Sequence, residues 1–292
     1  MHPPPAGRLL LAFSGGPDSV GLAAGLRESD PLLAYVDHRL RGRRASRDER
    51  ACVRAVAGRL GLDLVRVRVS LPDGSEAAAR AERYRALAAL GFKYGCCGIA
   101  TAHTADDRAE TLLFNLLRGS GLRGLAAPRP CTRIGRVLRL RPALDERRAG
   151  LRSLAEAYGF VEDSTNRSTA YSRSRVRHLL LPALERLLGE DPVPLLCSLA
   201  DAADRLRTSL ERRAAALAPD AGRREFLREP NATFAYLVEA LRPPGPPLTA
   251  RAYDSLRAFL EAGRTGRAHR TPGGEKWRLS KRGALRVTGP SG

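Results

Sequence analysis

The hydrophobic pattern of the first half of the chain alternates between strand-like and helix-like stretches. Apolar runs that suit buried parallel strands occupy residues 9–13, 32–36 and 98–102, and Leu64, Val65, Val67 and Val69 predict a further strand. Helical patterns fill the intervals, at about residues 20–26, 46–60, 75–90 and 105–117. Strands that alternate with helices predict a parallel sheet covered on both faces, so we expect an α/β fold.

The second half is mainly helical and ends in a short mixed segment. The elements predicted there are a strand near 137–140, a helix over 145–158, helical periodicity over 172–213 with breaks near Gly189 and Pro192, helices over 231–241 and 249–260, and strands within 278–287 that turn at Gly283. The last three indicate a small α+β unit. A chain of 292 residues is long for a single core. We therefore predict an α/β domain over 1–190, a helical linker over 191–220 and a small basic domain over 221–292.

Composition places the chain among globular proteins. Hydrophobic residues make up 43% and charged residues 28% of it. No stretch approaches the ~20 apolar residues of a membrane span, and the apolar run at 9–13 is too short for the core of a signal peptide. We expect a cytoplasmic protein with no membrane partner. The five cysteines contain no C-x-x-C pair, which speaks against a zinc ribbon or a thioredoxin-like site.

The charge is the strongest compositional signal. The formal net charge is +19, and 47 of the 50 basic residues are Arg. Ten basic and three acidic residues between Arg251 and Gly292 add a local excess in the last domain. Arg binds phosphate through a planar fork of donors, so the excess favours a nucleic-acid partner. A basic enzyme with a coding bias towards Arg is the alternative.

The turn after the first strand has the composition of a phosphate-binding loop. It reads Ser14-Gly15-Gly16-Pro17-Asp18-Ser19 and leads directly into a predicted helix. Glycines let the backbone approach phosphate oxygens, and the helix start directs free N–H groups at an anion. The loop lacks the Gly-Lys-Ser/Thr of a Walker A loop and the G-x-G-x-x-G of a dinucleotide site. A strand-to-helix turn capped by Ser is the structural alternative.

Acidic residues and a histidine follow other predicted strands. Asp37 ends the second strand, and His103 follows the fourth. Asp107 and Glu110 are three residues apart, so they share one face of the predicted helix. Two carboxylates beside an anionic site need cations, such as Mg²⁺ or a substrate ammonium. A solvated acidic first turn, or a packed histidine, would explain the same residues without function.

Taken in order, these motifs resemble the tRNA(Ile)-lysidine synthase family. The phosphate loop resembles the PP-loop of the N-type ATP pyrophosphatases, and the later motifs select the family within that superfamily. They are the segments around Asp37, Glu76–Tyr84, Thr101–Thr111, Arg118–Leu125, Arg141-Pro142, Asp163–Asn166 and Tyr171–Arg177. The match covers about residues 8–182. It implies a PP-loop ATPase domain of the adenine nucleotide alpha hydrolase-like, Rossmann-like type, followed by helices and a small α+β domain.

The resemblance also implies a reaction. ATP adenylates the C2 oxygen of the wobble cytidine in the CAU anticodon of tRNA(Ile), lysine displaces AMP, and the resulting lysidine changes decoding from AUG to AUA. ATP and Mg²⁺ are the implied cofactors, and lysine and the tRNA are the implied partners. A homodimer is left open. A PP-loop tRNA cytidine thiolase and a non-catalytic tRNA-binding module are the alternatives.

Roles for individual residues follow from the same resemblance. The catalytic set is Asp18, Asp37, His103, Asp107 and Glu110. The ATP-binding set is Ser14, Gly15, Gly16, Pro17, Asp18, Ser19, His103 and Arg118, with Asp18 as the candidate ligand of Mg²⁺. The lysine-binding set is Arg80, Asp107 and Glu110. The tRNA-binding set is Arg173, Arg175 and Arg177, which we expect in an extended or turning segment because their spacing does not form one helical stripe.

Three features depart from the family pattern. Ser174 stands where members commonly have Asn, and Thr104 stands where many have a second histidine. The chain also resembles a shorter architecture that lacks an additional C-terminal domain.

Overall fold

The computed structural model describes residues 7–37, 43–69, 76–134, 136–162, 172–217, 222–242, 248–263, 265, 267–272, 274–280 and 285–289. The chain forms two compact units, Met1–Asp204 and Arg205–Gly292. The three-part division drawn from the sequence stays a prediction.

A six-stranded, mostly parallel sheet forms the centre of the first unit. Its strands are β1 (Leu9–Ala12), β2 (Leu32–Asp37), β3 (Leu64–Arg68), β4 (Gly98–Ala100), β5 (Cys131–Ile134) and β6 (Val137–Leu140). Their order is β3-β2-β1-β4-β6-β5, and all neighbours are parallel except β5 and β6. The predicted α/β fold is confirmed. The sequence did not indicate β5, because this edge strand alternates exposed and half-buried residues and has no apolar run.

Helices connect the strands and cover the sheet. They are α1 (Pro17–Gly25), α2 (Arg43–Leu60), α3 (Glu76–Lys93), α4 (Ala105–Leu117), α5 (Leu122–Leu125) and α6 (Arg148–Glu156), with a short 3₁₀ turn at Arg27–Ser29. α2 starts three residues before the predicted start at residue 46, and α6 is shorter than the predicted helix over 145–158. The core of the unit lies between α1, α2, α6 and the sheet.

Close contact between α1 and α6 depends on one glycine. A Cβ atom at Gly21 would collide with the backbone carbonyl of Leu151. Only a residue without a side chain lets the two helices approach this closely. Asp18 near the start of α1 and Arg148 at the start of α6 are thereby held beside each other.

The chain from residue 172 onwards is helical. It comprises α7 (Ser172–Arg175), a π-helical stretch (Val176–Leu180), α8 (Leu181–Leu188) and α9 (Val193–Leu217), the last of which continues into the second unit. The expectation that Arg173, Arg175 and Arg177 lie in an extended or turning segment is wrong. Their neighbour Val176 packs into an apolar cluster with α4, which favours the helical conformation.

The second unit is a small α+β domain. It contains α10 (Arg223–Arg228), α11 (Asn231–Leu241), α12 (Ala250–Ala262) and an antiparallel sheet of β7 (Ala268–Arg270), β8 (Lys276–Leu279) and β9 (Leu285–Thr288). Phe226, Phe234 and Trp277 are buried at its centre. Arg242 is buried against Glu275, with Nε and Oε1 3.0 Å apart. The turn predicted at Gly283 lies outside the described residues. Among the helices of the described residues, none has the length and hydropathy needed to cross a membrane.

Candidate active site

The Ser14–Ser19 loop joins β1 to α1 and is held by its own hydroxyls. The Oγ atoms of Ser14 and Ser19 are 3.2 Å apart, and Ser19 Oγ donates to the Gly16 carbonyl at 2.9 Å. Gly15 has φ +79°, and a Cβ there would lie 2.8 Å from Val53 Cγ2. Gly16 is the N-cap residue, and Pro17 is the first residue of α1. Because Gly16 has no side chain, it does not cap the backbone N–H groups at the start of the helix. The loop therefore has the geometry of an anion-binding turn.

Asp18 extends from this loop towards the start of α6. One carboxylate oxygen, Oδ2, lies 3.4 Å from Arg148 Nε. The other, Oδ1, is buried without a hydrogen-bond partner in the described part of the chain. Burial raises the pKa of Asp18 above its ordinary value, and the charge of Asp107 adds to this while Arg148 opposes it. An unpartnered buried carboxylate oxygen is a site for a donor or a cation.

The start of α4 carries the two predicted carboxylates. Asp107 and Thr104 form a capping box, in which Asp107 Oδ2 accepts from the Thr104 amide at 2.9 Å. Burial alone would raise the pKa of Asp107, but Arg148, His103 and the hydrogen bonds from Thr104 bring it below its ordinary value. Asp107 is therefore held as a carboxylate by its surroundings.

Glu110 lies one turn further along α4 and is buried. Arg177 binds it through two parallel hydrogen bonds, Nε to Oε1 at 2.7 Å and Nη2 to Oε2 at 3.0 Å. Arg148 Nη2 lies between the two carboxylates, 2.9 Å from Asp107 and 3.3 Å from Glu110. Asp107 and Glu110 are thus brought together, with guanidinium groups in the positions that cationic ligands would take.

Arg148 is the residue of this site that the sequence did not indicate. Its side chain reaches Asp18, Asp107 and Glu110, and its amide donates to Asp106 at 2.7 Å. Nothing in its spacing distinguishes it from the other arginines of so basic a chain. Only the packing of α6 on α1 brings it to the start of α4.

His103 lies at the carboxyl end of β4. Its Nδ1 is 2.9 Å from Thr101 Oγ1. Burial lowers its pKa to about 4, and the positive charges of Arg141, Arg80 and Arg139 act in the same direction while Asp107 opposes them. The imidazole is consequently neutral at pH 7.

Asp37 lies at the carboxyl end of β2, the edge where ligands of such sheets bind. It is buried, and its Oδ2 accepts from Arg50 Nη1 at 3.2 Å. The chain segment that follows it in the family motif, 38–42, lies outside the described residues, as do 163–171 of the later motifs.

One cavity connects the loop with the start of α4. It has a volume of about 450 Å³, within the range of nucleotide and cofactor sites. Ser14, Asp18, Ser19, His103 and Asp107 all line it. Its other walls include Ala34, Tyr35, Val36, Tyr84 and Leu87. Five of the predicted site residues therefore face one space.

Several predicted residues lie elsewhere. Arg118 follows the far end of α4, about 16 Å along the helix from Asp107. With Arg175 it borders a separate, apolar cavity of about 470 Å³. Arg80 lies over the ring of Tyr84, 5.4 Å from its centroid. Arg173 donates to Thr111 Oγ1 at 2.8 Å, and Arg177 binds Glu110, so the three arginines predicted to bind tRNA point to different surroundings.

The arrangement of a β1–α1 phosphate loop on a parallel sheet is that of a nucleotide-binding domain. The chain belongs to the PP-loop domain family, whose sequence pattern matches residues 1–184. Among curated proteins it is similar to the tRNA(Ile)-lysidine synthase of Thermobifida fusca (strain YX), with 44% identity over 63% of this chain and 59% of that protein. It is also similar to the tRNA(Ile)-lysidine synthase of Novosphingobium aromaticivorans, with 39% identity over 71% of this chain and 66% of that protein. These matches confirm the resemblance seen in the motifs. The chain spans about three fifths of the length of the first of these relatives.

A solved structure shares the fold. It is the U34-tRNA thiolase NcsA of Methanococcus maripaludis with its 4Fe-4S cluster, matched with a TM-score of 0.54 and 19% identity over 68% of this chain and 72% of that one. At this identity the likeness concerns the fold alone.

Proposed function

We propose that this chain is a tRNA(Ile)-lysidine synthase, a ligase that couples ATP cleavage to AMP and diphosphate with the joining of lysine to a tRNA cytidine. The observation that carries the proposal is the single cavity in which Ser14, Asp18 and Ser19 face His103 and Asp107. A phosphate site and a carboxylate site then share one space, as a reaction between a nucleotide-activated group and an amine requires. The curated relatives have this name and about 40% identity.

ATP would bind with its phosphates at the loop. The N–H groups at the start of α1 and the hydroxyls of Ser14 and Ser19 supply donors, and the positive end of the helix dipole favours the anion. The apolar wall of the same cavity, which includes Ala34, Val36 and Leu87, suits the face of a purine ring.

Mg²⁺ fits the loop through Asp18. Its buried Oδ1 has no partner among the described residues, and carboxylate and phosphate oxygens are the ligands that this ion prefers. When bound, the ion would neutralise charge that develops on the phosphates. Asp18 would hold it, and Arg148 would keep the carboxylate in place.

The substrate ammonium would bind at Asp107 and Glu110. Arg148 and Arg177 now fill this position, with Arg148 Nη2 2.9 Å from Asp107. We infer that the substrate amine binds these carboxylates by displacing the guanidinium of Arg148 or Arg177. The pKa of Asp107 lies below its ordinary value, so the carboxylate is ionised for this role.

The reaction then proceeds in two displacements. The C2 oxygen of the cytidine attacks the α-phosphorus of ATP, and the bond to the β-phosphate oxygen breaks to release diphosphate. The lysine ε-amine, having lost a proton, attacks C2, and the C2–O bond breaks to release AMP. Neutral His103 can orient the reacting groups as a hydrogen-bond acceptor, whereas its pKa of about 4 makes it a weak proton acceptor.

The RNA partner is supported by charge. The net charge of +19 favours a polyanion, and the predicted tRNA contacts of Arg173, Arg175 and Arg177 remain part of the proposal. Asp37 and Arg118 also keep their proposed roles in catalysis and ATP binding. A tRNA substrate would place the reaction in the cytoplasm, and a homodimer is compatible with it.

A single reaction mixture tests the function. The protein is incubated with ATP, Mg²⁺, labelled lysine and a transcript of tRNA(Ile) with a CAU anticodon. We expect label in the tRNA with stoichiometric AMP and diphosphate. Turnover that needs a sulfur donor instead of lysine would support a thiolase, and tRNA binding without AMP formation would support a non-catalytic module.

A matched pair of variants connects the reaction to the loop. Asp18→Ala should abolish AMP formation and leave tRNA binding nearly intact, because Asp18 belongs to the phosphate loop and to none of the proposed RNA contacts. Asp48→Ala removes an exposed carboxylate of α2 and should keep full activity. Full activity in Asp18→Ala would remove this residue from the mechanism.

A further inference from the structure

A cluster of four arginines lies beside Tyr84, one of the residues that line the cavity. Its members are Arg80 on α3, Arg129 before β5, Arg139 on β6 and Arg141 directly after β6. In the part of the chain that the structure describes, none of the four forms an ion pair with a carboxylate. By contrast, the guanidiniums of Arg50, Arg108, Arg147, Arg148 and Arg177 all do.

Specific contacts hold the arginines of this cluster in place. Arg139 and Arg80 both lie over the ring of Tyr84, at 4.8 Å and 5.4 Å from its centroid. Thr132 Oγ1 accepts from Arg139 Nε at 3.1 Å and from Arg141 Nη1 at 3.5 Å. Arg141 Nη1 also donates to the backbone carbonyl of Arg129. Neutral acceptors and an aromatic face therefore position the guanidiniums, and their charge stays uncompensated.

The base of the cluster has an unsatisfied donor. Arg141 is 3% exposed, and its Nε has no hydrogen-bond partner within the described residues. Burial lowers the pKa of Arg141 to about 10, and the positive charges of Arg139, Arg80 and Arg129 contribute. An orphaned buried donor among like charges costs free energy, which a bound anion would offset.

The position of the cluster indicates which anion. Tyr84, whose ring lies under the guanidiniums of Arg80 and Arg139, lines the cavity together with His103 and Asp107. The phosphate loop follows β1, while Arg139 lies on β6 and Arg141 directly after it, two strands away across β4, or about 10 Å. ATP held by the loop would leave this side of the cavity to the acceptor.

We propose that Arg80, Arg129, Arg139 and Arg141 bind a backbone phosphate of the acceptor RNA beside the nucleotide that is modified. The inference rests on the proposed function and adds a phosphodiester site to it. Arg129 and Arg139 are half-buried and Arg80 is exposed, so a phosphate can reach them from solvent while Arg141 supports the base of the site. The contact would position the RNA without reading its sequence.

The β5–β6 hairpin supplies a matched pair of variants. Arg139 is opposite Thr132 in the register, and Arg133 is opposite Leu138, so their side chains project from opposite faces of the hairpin. Arg139→Gln and Arg133→Gln make the same change in net charge on the same element. Binding of a labelled tRNA(Ile) transcript is measured by fluorescence anisotropy at several salt concentrations, and ATP affinity is measured separately.

We expect Arg139→Gln to weaken RNA binding about tenfold at low salt and to reduce the slope of log K against log salt by about 1. Arg133→Gln should change RNA affinity less than about twofold. ATP affinity should be unchanged in both. Arg139→Lys should restore part of the RNA affinity, because it returns the charge but not the guanidinium that Thr132 and the Tyr84 ring hold in place. Arg129→Gln repeats the test should Arg139→Gln fail to fold.

Each other outcome is decisive. Equal losses in the two glutamine variants would mean that only net charge matters, and the site would be wrong. A loss of ATP affinity with unchanged RNA binding would assign the cluster to the triphosphate. Failure of the unaltered protein to bind tRNA would overturn the proposed function itself, together with this inference.

Discussion

The two sides of the central cavity use arginine in opposite ways. At the start of α4, Arg148 and Arg177 are matched by carboxylates, and the bidentate bond from Arg177 Nε to Glu110 is 2.7 Å long. Next to β6, Arg139 and Arg141 meet a hydroxyl, a carbonyl and the ring of Tyr84. At the start of α4 the positive and negative charges nearly cancel, so a cationic ligand can bind only by displacing a guanidinium. Next to β6 the positive charge is in excess, and this side attracts an anion.

Burial alone therefore does not reveal the role of an arginine. Arg242 in the second unit is as buried as Arg141, yet it is paired with Glu239 and Glu275 and needs no ligand. We expect an arginine to bind a ligand when no carboxylate of the fold neutralises its charge. Four substitutions test how far that distinction holds.

The largest effect is expected on the matched side. Asp107→Asn keeps an oxygen for the cap to Thr104 but removes the charge that faces Arg148. We expect the kcat/KM for lysine to fall about 100-fold, because truncating one charge of a buried pair costs roughly 3 kcal/mol. Lysine-dependent AMP formation measures it. Asp48→Asn is the control, and equal activity in both variants would place the amine elsewhere.

The next effect concerns the packing that holds the matched side together. Gly21→Ala adds a methyl group against the Leu151 carbonyl and should destabilise the first unit by about 2–3 kcal/mol. Urea unfolding measures this. Gly58→Ala on α2 meets nothing within 4 Å and should be neutral or slightly stabilising. Equal stability of the two variants would contradict the close contact of α1 and α6.

A pH effect comes third, at the point where the two sides meet. The pKa of His103 is lowered to about 4 in the folded chain, from an ordinary value near 6.5. The unfolded chain therefore takes up this proton first on acidification, and stability is lost as the pH falls from about 6.5 towards 4. Between pH 6.5 and 5 this amounts to about 2 kcal/mol. His103→Gln should remove that loss in unfolding experiments, whereas His178→Gln, an exposed histidine, should keep it.

The smallest effect decides to which side Arg80 belongs. The family resemblance groups it with Asp107 and Glu110, but its side chain lies over Tyr84 beside Arg139. We expect Arg80→Gln to raise the KM for tRNA a few-fold, equivalent to about 1 kcal/mol, and to leave the KM for lysine unchanged. Steady-state kinetics with each substrate varied in turn will show it. A selective rise in the KM for lysine would return Arg80 to the amine site.

The local parts of the fold could be predicted from the sequence. The apolar runs located β1 to β4, and the Ser14–Ser19 turn located the phosphate loop, because both depend on neighbouring residues. The edge strand β5 could not be predicted in this way, and the helical state of Arg173 and Arg175 followed from the periodicity over 172–213 but not from the spacing of the arginines. One is fixed by pairing with β6 and the other by the packing of Val176.

The α/β class, the phosphate loop and the acidic pair could be read from the chain, since spacing along one strand or one helix is enough to place such residues. The packing of distant segments then determines which arginines contact them. Arg148 reaches Asp107 across 41 positions of sequence, and Arg177 reaches Glu110 across 67. Among the described residues, this packing leaves Arg139 and Arg141 without a carboxylate partner. Charge compensation depends on distances in space, and no pattern along the chain encodes those distances.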